Sequence, residues 1–328
     1  MKIDGFLLAI IAAIALALAA PQLGSADGPL HLSRLTNIGV SLVFFLHGAG
    51  LSPQALKTGA SNWRLHLLVQ ASTFLLFPAL GFAIFAGARS WLPDETRLGI
   101  FYLCALSSTI SSSVAMTALA RGDVGAAVFN ATLSGLLGMV ITPFLVGLVA
   151  TTASAHIPLL PAIVDVAQKL LLPFIGGQLA RPLLVKILAP RKAWVTRIDR
   201  SVIVLIVYGA FCDSTSAGIW NRYAPLLIGE IGLIVAGLLV LALVFDTFGA
   251  RALRLTREDE AVAVFCGSTK SLANGAPIAS VLFAANPALG MILLPLVLYH
   301  LFQLIACSAL ARRYAARADR DAPARAAA

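Results

Sequence analysis

The sequence predicts an all-α integral membrane protein of ten transmembrane helices. Three observations carry that expectation. The 328-residue chain is 59% hydrophobic and 12% charged, with a mean hydropathy of +0.90, whereas a soluble domain is roughly 25% charged. Its apolar residues fall into ten segments, and a helix needs ~20 residues to cross a bilayer. Two of those segments, the fourth and the ninth, are interrupted by runs of small hydroxyl residues. A chain does not place such runs in hydrocarbon unless they line something.

The first segment, 5–20, reads as a span rather than a secretion signal, because Asp4 closely follows Lys2 and the apolar run is long for a signal core. The second, 37–52, has His47 near its rim. The third, 65–88, holds His66, Gln70 and Thr73. The fourth, 97–119, contains SSTISSS from Ser107 to Ser113, with six hydroxyls in seven positions. The fifth, 123–150, carries Asn130 and Thr132. In the sixth, 158–188, Asp165 and Lys169 lie one turn apart and are expected to neutralise each other. The seventh, 201–219, contains Asp213. The eighth, 224–248, has Glu230 and Asp246 nearer its ends, where a structural role is expected. The ninth, 261–283, contains GSTKSLANG over 267–275, with a lone lysine, Lys270. The tenth, 287–311, carries His300 and Gln303. Pro78, Pro143, Pro173, Pro277 and Pro295 are kinks whose freed backbone groups neighbouring helices can re-satisfy. Residues 313–328, rich in Ala and Arg, are expected to form a disordered cytoplasmic tail.

Basic residues set the orientation. With both termini cytoplasmic, seventeen of the 24 Lys and Arg residues face the cytoplasm, four face the other side, and Lys169, Arg181 and Lys270 fall inside spans. The net charge of +9 then follows from topology and from contact with anionic membrane lipid, and no nucleic-acid partner is expected. Cys104, Cys212, Cys266 and Cys307 lie in apolar segments without metal-ligand spacing, and are expected to be buried thiols. The chain has no G-x-S-x-G, H-E-x-x-H or P-loop, so neither an enzyme nor an organic cofactor is expected.

The two halves resemble each other. Ser108, Thr109 and Ser111 form S-T-x-S in the fourth span, and Ser268, Thr269 and Ser271 form it in the ninth. An acidic cluster precedes each: Asp94 with Glu95, and Glu258 with Asp259 and Glu260. A first repeat over 1–150 and a second over 151–312 would each hold five spans. Five is odd, so the second enters the membrane in the opposite sense, as in inverted-repeat secondary transporters. Such carriers bind at paired broken helices near the midplane. The candidate substrate or ion site is therefore Thr109, Ser111, Ser112, Ser113, Asn130, Thr132, Ser268, Thr269, Lys270, Ser271 and Asn274, supported by Gln70, Thr73, Asp213, His300 and Gln303. An unwound segment over 107–113 would present hydroxyl and carbonyl oxygens to a cation or a polar solute. Freed half-helix N-termini would suit an anion. Lys270 costs at least ~2.5 kcal/mol in lipid. It would either hold the breaks together or meet an anionic substrate, and burial, which disfavours the charged ammonium, would open a route to proton coupling.

AVFCGSTKSLANGAP (263–277), GAAVFNATLSGLLGMVITP (125–143), LPLVLYH (294–300), RLHLLVQASTFLLFPAL (64–80) and FCDSTS (211–216) resemble the bile acid:sodium symporter-like family. Within it they resemble the branch typified by the mammalian sodium/bile acid cotransporter 7, which has bacterial relatives. The resemblance implies a panel domain of spans one, two, six and seven and a core domain of the rest, with spans four and nine crossing at the centre. It also implies an organic anion as substrate, sodium as coupling ion, and a bacterial inner-membrane location. This chain departs from the pattern at the implied sodium ligands. Cys266 stands near the expected span-nine glutamate and Lys270 near the following glutamine. Val114 follows Ser113 where an asparagine is expected, and Ala127 and Ala131 stand where span-five hydroxyls are expected. In span three, Thr73 stands where a glutamine is expected, with Gln70 one turn away. An ammonium ~4 Å from a sodium ion costs about 4 kcal/mol at an effective dielectric of 20. The coupling ion expected here is sodium by the family's name, or a proton, or none. The competing expectation is a non-transporting regulator of ion homeostasis or envelope biogenesis, and the polar centre favours a carrier over it.

Overall fold

The computed structural model describes residues 5–25, 28–30, 32–51, 62–150, 159–223, 225–284 and 286–326. Among them the α-helices fall into ten segments, with short 3-10 turns between some of them and no strand. They are α1 Gly5–Ala19, α2 Leu32–Gly50, α3 Trp63–Gly87, α4a Asp94–Ala105 with α4b Ser111–Leu119, and α5 Val124–Ala150. Then follow α6 over 159–188, α7 Lys192–Ser216, α8 Leu226–Ala252, α9a Arg257–Ser268 with α9b Leu272–Leu282, and α10 Leu289–Ala326.

Local chemistry explains the starts and bends. Asp94 and Glu95 occupy the first turn of α4a, and Glu258, Asp259 and Glu260 that of α9a, where the helix dipole favours negative charge. Thr256 caps α9a, its hydroxyl accepting from the Asp259 amide at 3.1 Å. π turns interrupt α3 at Ser72–Leu76 and α6 at Ala167–Leu171. Each ends just before a proline at the second position of the following helical stretch, Pro78 and Pro173. A proline ring crowds the preceding turn and supplies no N–H, and a widened turn relieves the clash.

α3, α5, α8 and α10 are each long and apolar enough to cross a bilayer as continuous helices. Large apolar side chains also face outward in mid-helix, as at Leu179, Leu183 and Leu233, which are 77–79% exposed, the surface expected against lipid rather than water. α2 packs along α6 and α7, and α1 along α7, forming one group. Gly48 and Gly177 let α2 and α6 touch, because a Cβ at either would collide with a carbonyl of the facing helix, Phe174 or Phe45. The remaining helices form a second group in which α4a packs on α3, α5 and α10, and α9a on α3, α4b, α5 and α8. The groups meet where α7 crosses α9b and α10, and where the start of α6 packs on α5 and α9b.

The structure corrects two expectations. α7 begins at Lys192, ahead of the expected 201. The expected disordered tail is instead a continuation of α10 as far as Ala326, while 327–328 lie outside the described residues. Ala and Arg are strong helix formers, and tertiary contacts hold this extension. The Tyr314 hydroxyl donates to Glu260 at 2.8 Å, and Arg121 pairs with Asp319 at 2.7 Å.

Candidate functional site

α4 opens at residues 106–110 and α9 at 269–271. Leu106 and Thr269, just past the first half-helices, are extended, with ψ of 154° and 149°. The two openings bond to each other. The Ser271 amide donates to the Ser107 carbonyl at 2.9 Å. The hydroxyls of Ser108 and Thr269 lie 3.1 Å apart, and Asn274 Nδ2 donates to Ser107 Oγ at 3.1 Å. Ser271 also caps α9b, accepting from the Asn274 amide at 3.1 Å. The α4 opening is shorter than expected, because Ser111, Ser112 and Ser113 already belong to α4b. The Ser113 hydroxyl bonds back to the Thr109 carbonyl, which allows serine to sit inside a helix.

Lys270 lies at the centre and is fully buried, at 0% exposure. Its Nζ donates to three backbone carbonyls: Thr73 at 3.1 Å, Cys104 at 3.1 Å and Leu106 at 2.7 Å. It also sits 4.0 Å from the ring centroid of Phe77, a favourable cation–π placement. Chain irregularities account for all three acceptors. Cys104 and Leu106 lie at the C-terminal end of α4a, where carbonyls lose their intrahelical donors. In the π turn the Phe77 amide bonds the Ser72 carbonyl five residues back. The corresponding donor for Thr73 would come from Pro78, which has no N–H. The Lys270 backbone is held as well. Its amide donates to Gln303 Oε1 at 2.8 Å, its carbonyl accepts from Gln303 Nε2 at 2.9 Å, and that nitrogen lies 2.9 Å from His300 Nδ1.

The structure divides the other candidates. Thr132 and Asn274, with Ile110, line an apolar cavity of about 350 Å3 that also touches His47, Phe174 and Val195. Lys270 is not among its lining residues. Thr109, Ser268 and Thr269 are buried at the crossing. Asn130 turns away from it, toward His66 on α3 at 3.0 Å, and Gln70 donates to the Asn130 carbonyl at 3.3 Å. The Thr73 hydroxyl is spent on its own helix, at Val69, and its carbonyl serves the site. Asp213 lies away from the crossing, in a smaller cavity of about 100 Å3 lined by Ser33, Asn37 and Ser280. Asp165 and Lys169 pair at 3.5 Å, and the four cysteines are free and buried, both as expected.

One further acidic side chain lies against the α9 half-helix beside the crossing. Asp246 on α8 was expected to be structural near a span end. It is at 0% exposure, and among the described residues neither carboxylate oxygen makes a well-formed hydrogen bond, with the Ser72 hydroxyl alone standing beside them. The available signal was its identity, an aspartate inside a long apolar helix, which is costly wherever it faces.

Apolar helices with outward-facing leucines, together with two broken helices bonded through a polar centre, define a polytopic membrane protein. The chain belongs to the SBF-like CPA transporter family, whose profile matches residues 4–316. That family comprises membrane transporters rather than enzymes. The chain is 45% identical over 316 residues to protein PA2026 of Pseudomonas aeruginosa, covering 96% of this chain and 94% of that one. It is 40% identical over 313 residues to YfeH of Escherichia coli (strain K12), named as a candidate symporter, covering 95% and 93%. It is 28% identical over 310 residues to the sodium/bile acid cotransporter 7 of Danio rerio, covering 94% and 92%.

Proposed function

We propose that this chain is a secondary active carrier of an organic anion, working by alternating access in the bacterial inner membrane with both termini cytoplasmic. In this reading the two halves form an inverted repeat, α1, α2, α6 and α7 are the panel, and the remaining helices are the core. The observation that carries the reading is the apolar cavity between the two helix groups, which ends at Ile110, Thr132 and Asn274 beside the crossing. Its apolar walls suit a hydrophobic solute body. The backbone amides at the start of α4b suit a negative headgroup, because Ile110 provides no side-chain cap there. The cavity lies by the C-terminal end of α2 and the N-terminal end of α7, next to the basic residues Arg191, Lys192 and Arg197, so the positive-inside rule makes it the cytoplasmic vestibule.

We further read the carrier as sodium-independent. The residues at the crossing do not fit a sodium ion, because the Lys270 ammonium already occupies the carbonyls of Thr73, Cys104 and Leu106. Its charge stands where a bound cation would, and it braces the crossing rather than facing the solute. The test is thermal stabilisation of the purified protein by a library of organic anions, in sodium and in choline salts. Stabilisation by an anion, equal in the two salts, is the expected result. No stabilisation by any anion would overturn the carrier, and an absolute need for sodium would overturn the role given to Lys270.

A further inference from the structure

Asp246 has no part in the site as described so far. Its carboxyl lies against the backbone of α9a, where a Cβ in place of the Gly267 hydrogen would fall 2.5 Å from its Cγ. Ser72 stands beside it from α3, and the Ser72 hydroxyl reaches the Gly267 carbonyl at 3.4 Å. The titratable and charged groups facing it are Lys270 from the α9 opening, Cys266 from α9a and Tyr299 from α10, while α3 presents Ser72. The thiol and phenol are spoken for: Cys266 Sγ lies 3.7 Å from the Ala127 carbonyl, and the Tyr299 hydroxyl donates to the Ser268 carbonyl at 2.5 Å.

Lys270 is a poor proton carrier by its geometry. Three carbonyl acceptors require three N–H donors, which only the charged ammonium has. A neutral amine would turn a lone pair toward a carbonyl oxygen. Asp246 is the opposite case. An ionised carboxylate buried beside a single hydroxyl, that of Ser72, which also reaches the Gly267 carbonyl, is costly, and one proton removes that cost. When water reaches the site, the fixed charge of Lys270 favours release of the proton again.

We propose that Asp246 is a reversible proton-binding site of the crossing. Resting on the carrier reading above, it binds the coupling proton, taken up by the carboxylate on one side of the membrane and released on the other. Infrared titration of the purified full-length protein tests this with the proton itself as probe. The expected result is a protonated-carboxyl C=O band that disappears as pH is raised, shifts on [4-13C]aspartate labelling, and is absent from Asp246→Asn. The absence of any titrating carboxyl band overturns the proposal. So does a band that survives in Asp246→Asn, or one that labelling leaves unmoved in the unmutated protein, a readout that does not depend on how the variant folds. The coupling role is read in proteoliposomes with an anion found by thermal stabilisation. Uptake driven by a pH gradient should fall in Asp246→Asn to its level without a gradient, and undiminished gradient-driven uptake overturns the coupling role. If no anion stabilises the protein, the carrier reading fails and the infrared titration still decides the proton site.

Discussion

Lys270 concentrates the chemistry of this molecule in one side chain. A buried ammonium is tolerated because three orphaned carbonyls and the face of Phe77 surround it. Removing one partner of such an arrangement leaves the rest buried and unpaired. Lys270→Ala is therefore expected to destabilise the protein by about 3–5 kcal/mol, seen as a lower melting temperature in detergent. If the ammonium stands for a cation, sodium should raise the melting temperature of Lys270→Ala more than choline does, and should leave the unmutated protein unchanged. Equal melting of variant and parent would show that the three carbonyls do not depend on the lysine.

At the scale of elements, the breaks are built asymmetrically. Ser271 caps α9b with its hydroxyl, whereas α4b begins at Ile110 without a side-chain cap. Ser271→Ala should cost about 1 kcal/mol, the usual worth of such a cap, and circular dichroism melts would detect it. The same substitution at Ser111, which is exposed and caps nothing, should leave stability nearly unchanged. The α2–α6 contact is a second element-level dependence. Gly177→Leu would drive a side chain into the Phe45 carbonyl, and the expected outcome is loss of folded protein, read as aggregation in size-exclusion chromatography. A monodisperse Gly177→Leu protein would mean that the two helices can separate freely.

For the whole molecule, the question is which face opens where. The four native cysteines are buried, so they offer little background to a membrane-impermeant maleimide. A cysteine placed at Val195, on the wall of the larger cavity, should label only from the cytoplasmic side in oriented vesicles. Labelling from outside alone would invert the proposed topology. Filling the same cavity by Leu136→Trp should abolish stabilisation by any anion that binds there, while the melting temperature of the ligand-free protein changes little. Retained anion stabilisation would place the solute elsewhere.

The sequence by itself determined the class of protein, the number of helices and the place of the two breaks. Those features are local: apolar runs of spanning length, and small polar residues whose cost in lipid marks them. It also marked Lys270, because a lone charge in GSTKSLANG is visible without any partner. The carbonyls that receive its protons were decided by tertiary structure, since Thr73 is 197 residues away and Cys104 is 166. The extent of the breaks was decided there too. Ser111 to Ser113 look like part of an unwound stretch, yet a hydroxyl can bond its own helix and leave it intact. Asp246 shows the same limit. Its distance along the chain from a span end says nothing about burial, whereas the packing of α8 on α3, α9a and α10 puts its carboxyl against Gly267 with only the Ser72 hydroxyl beside it. Composition sets the solvent a chain must live in, but only the fold decides which polar atoms are left facing one another inside it.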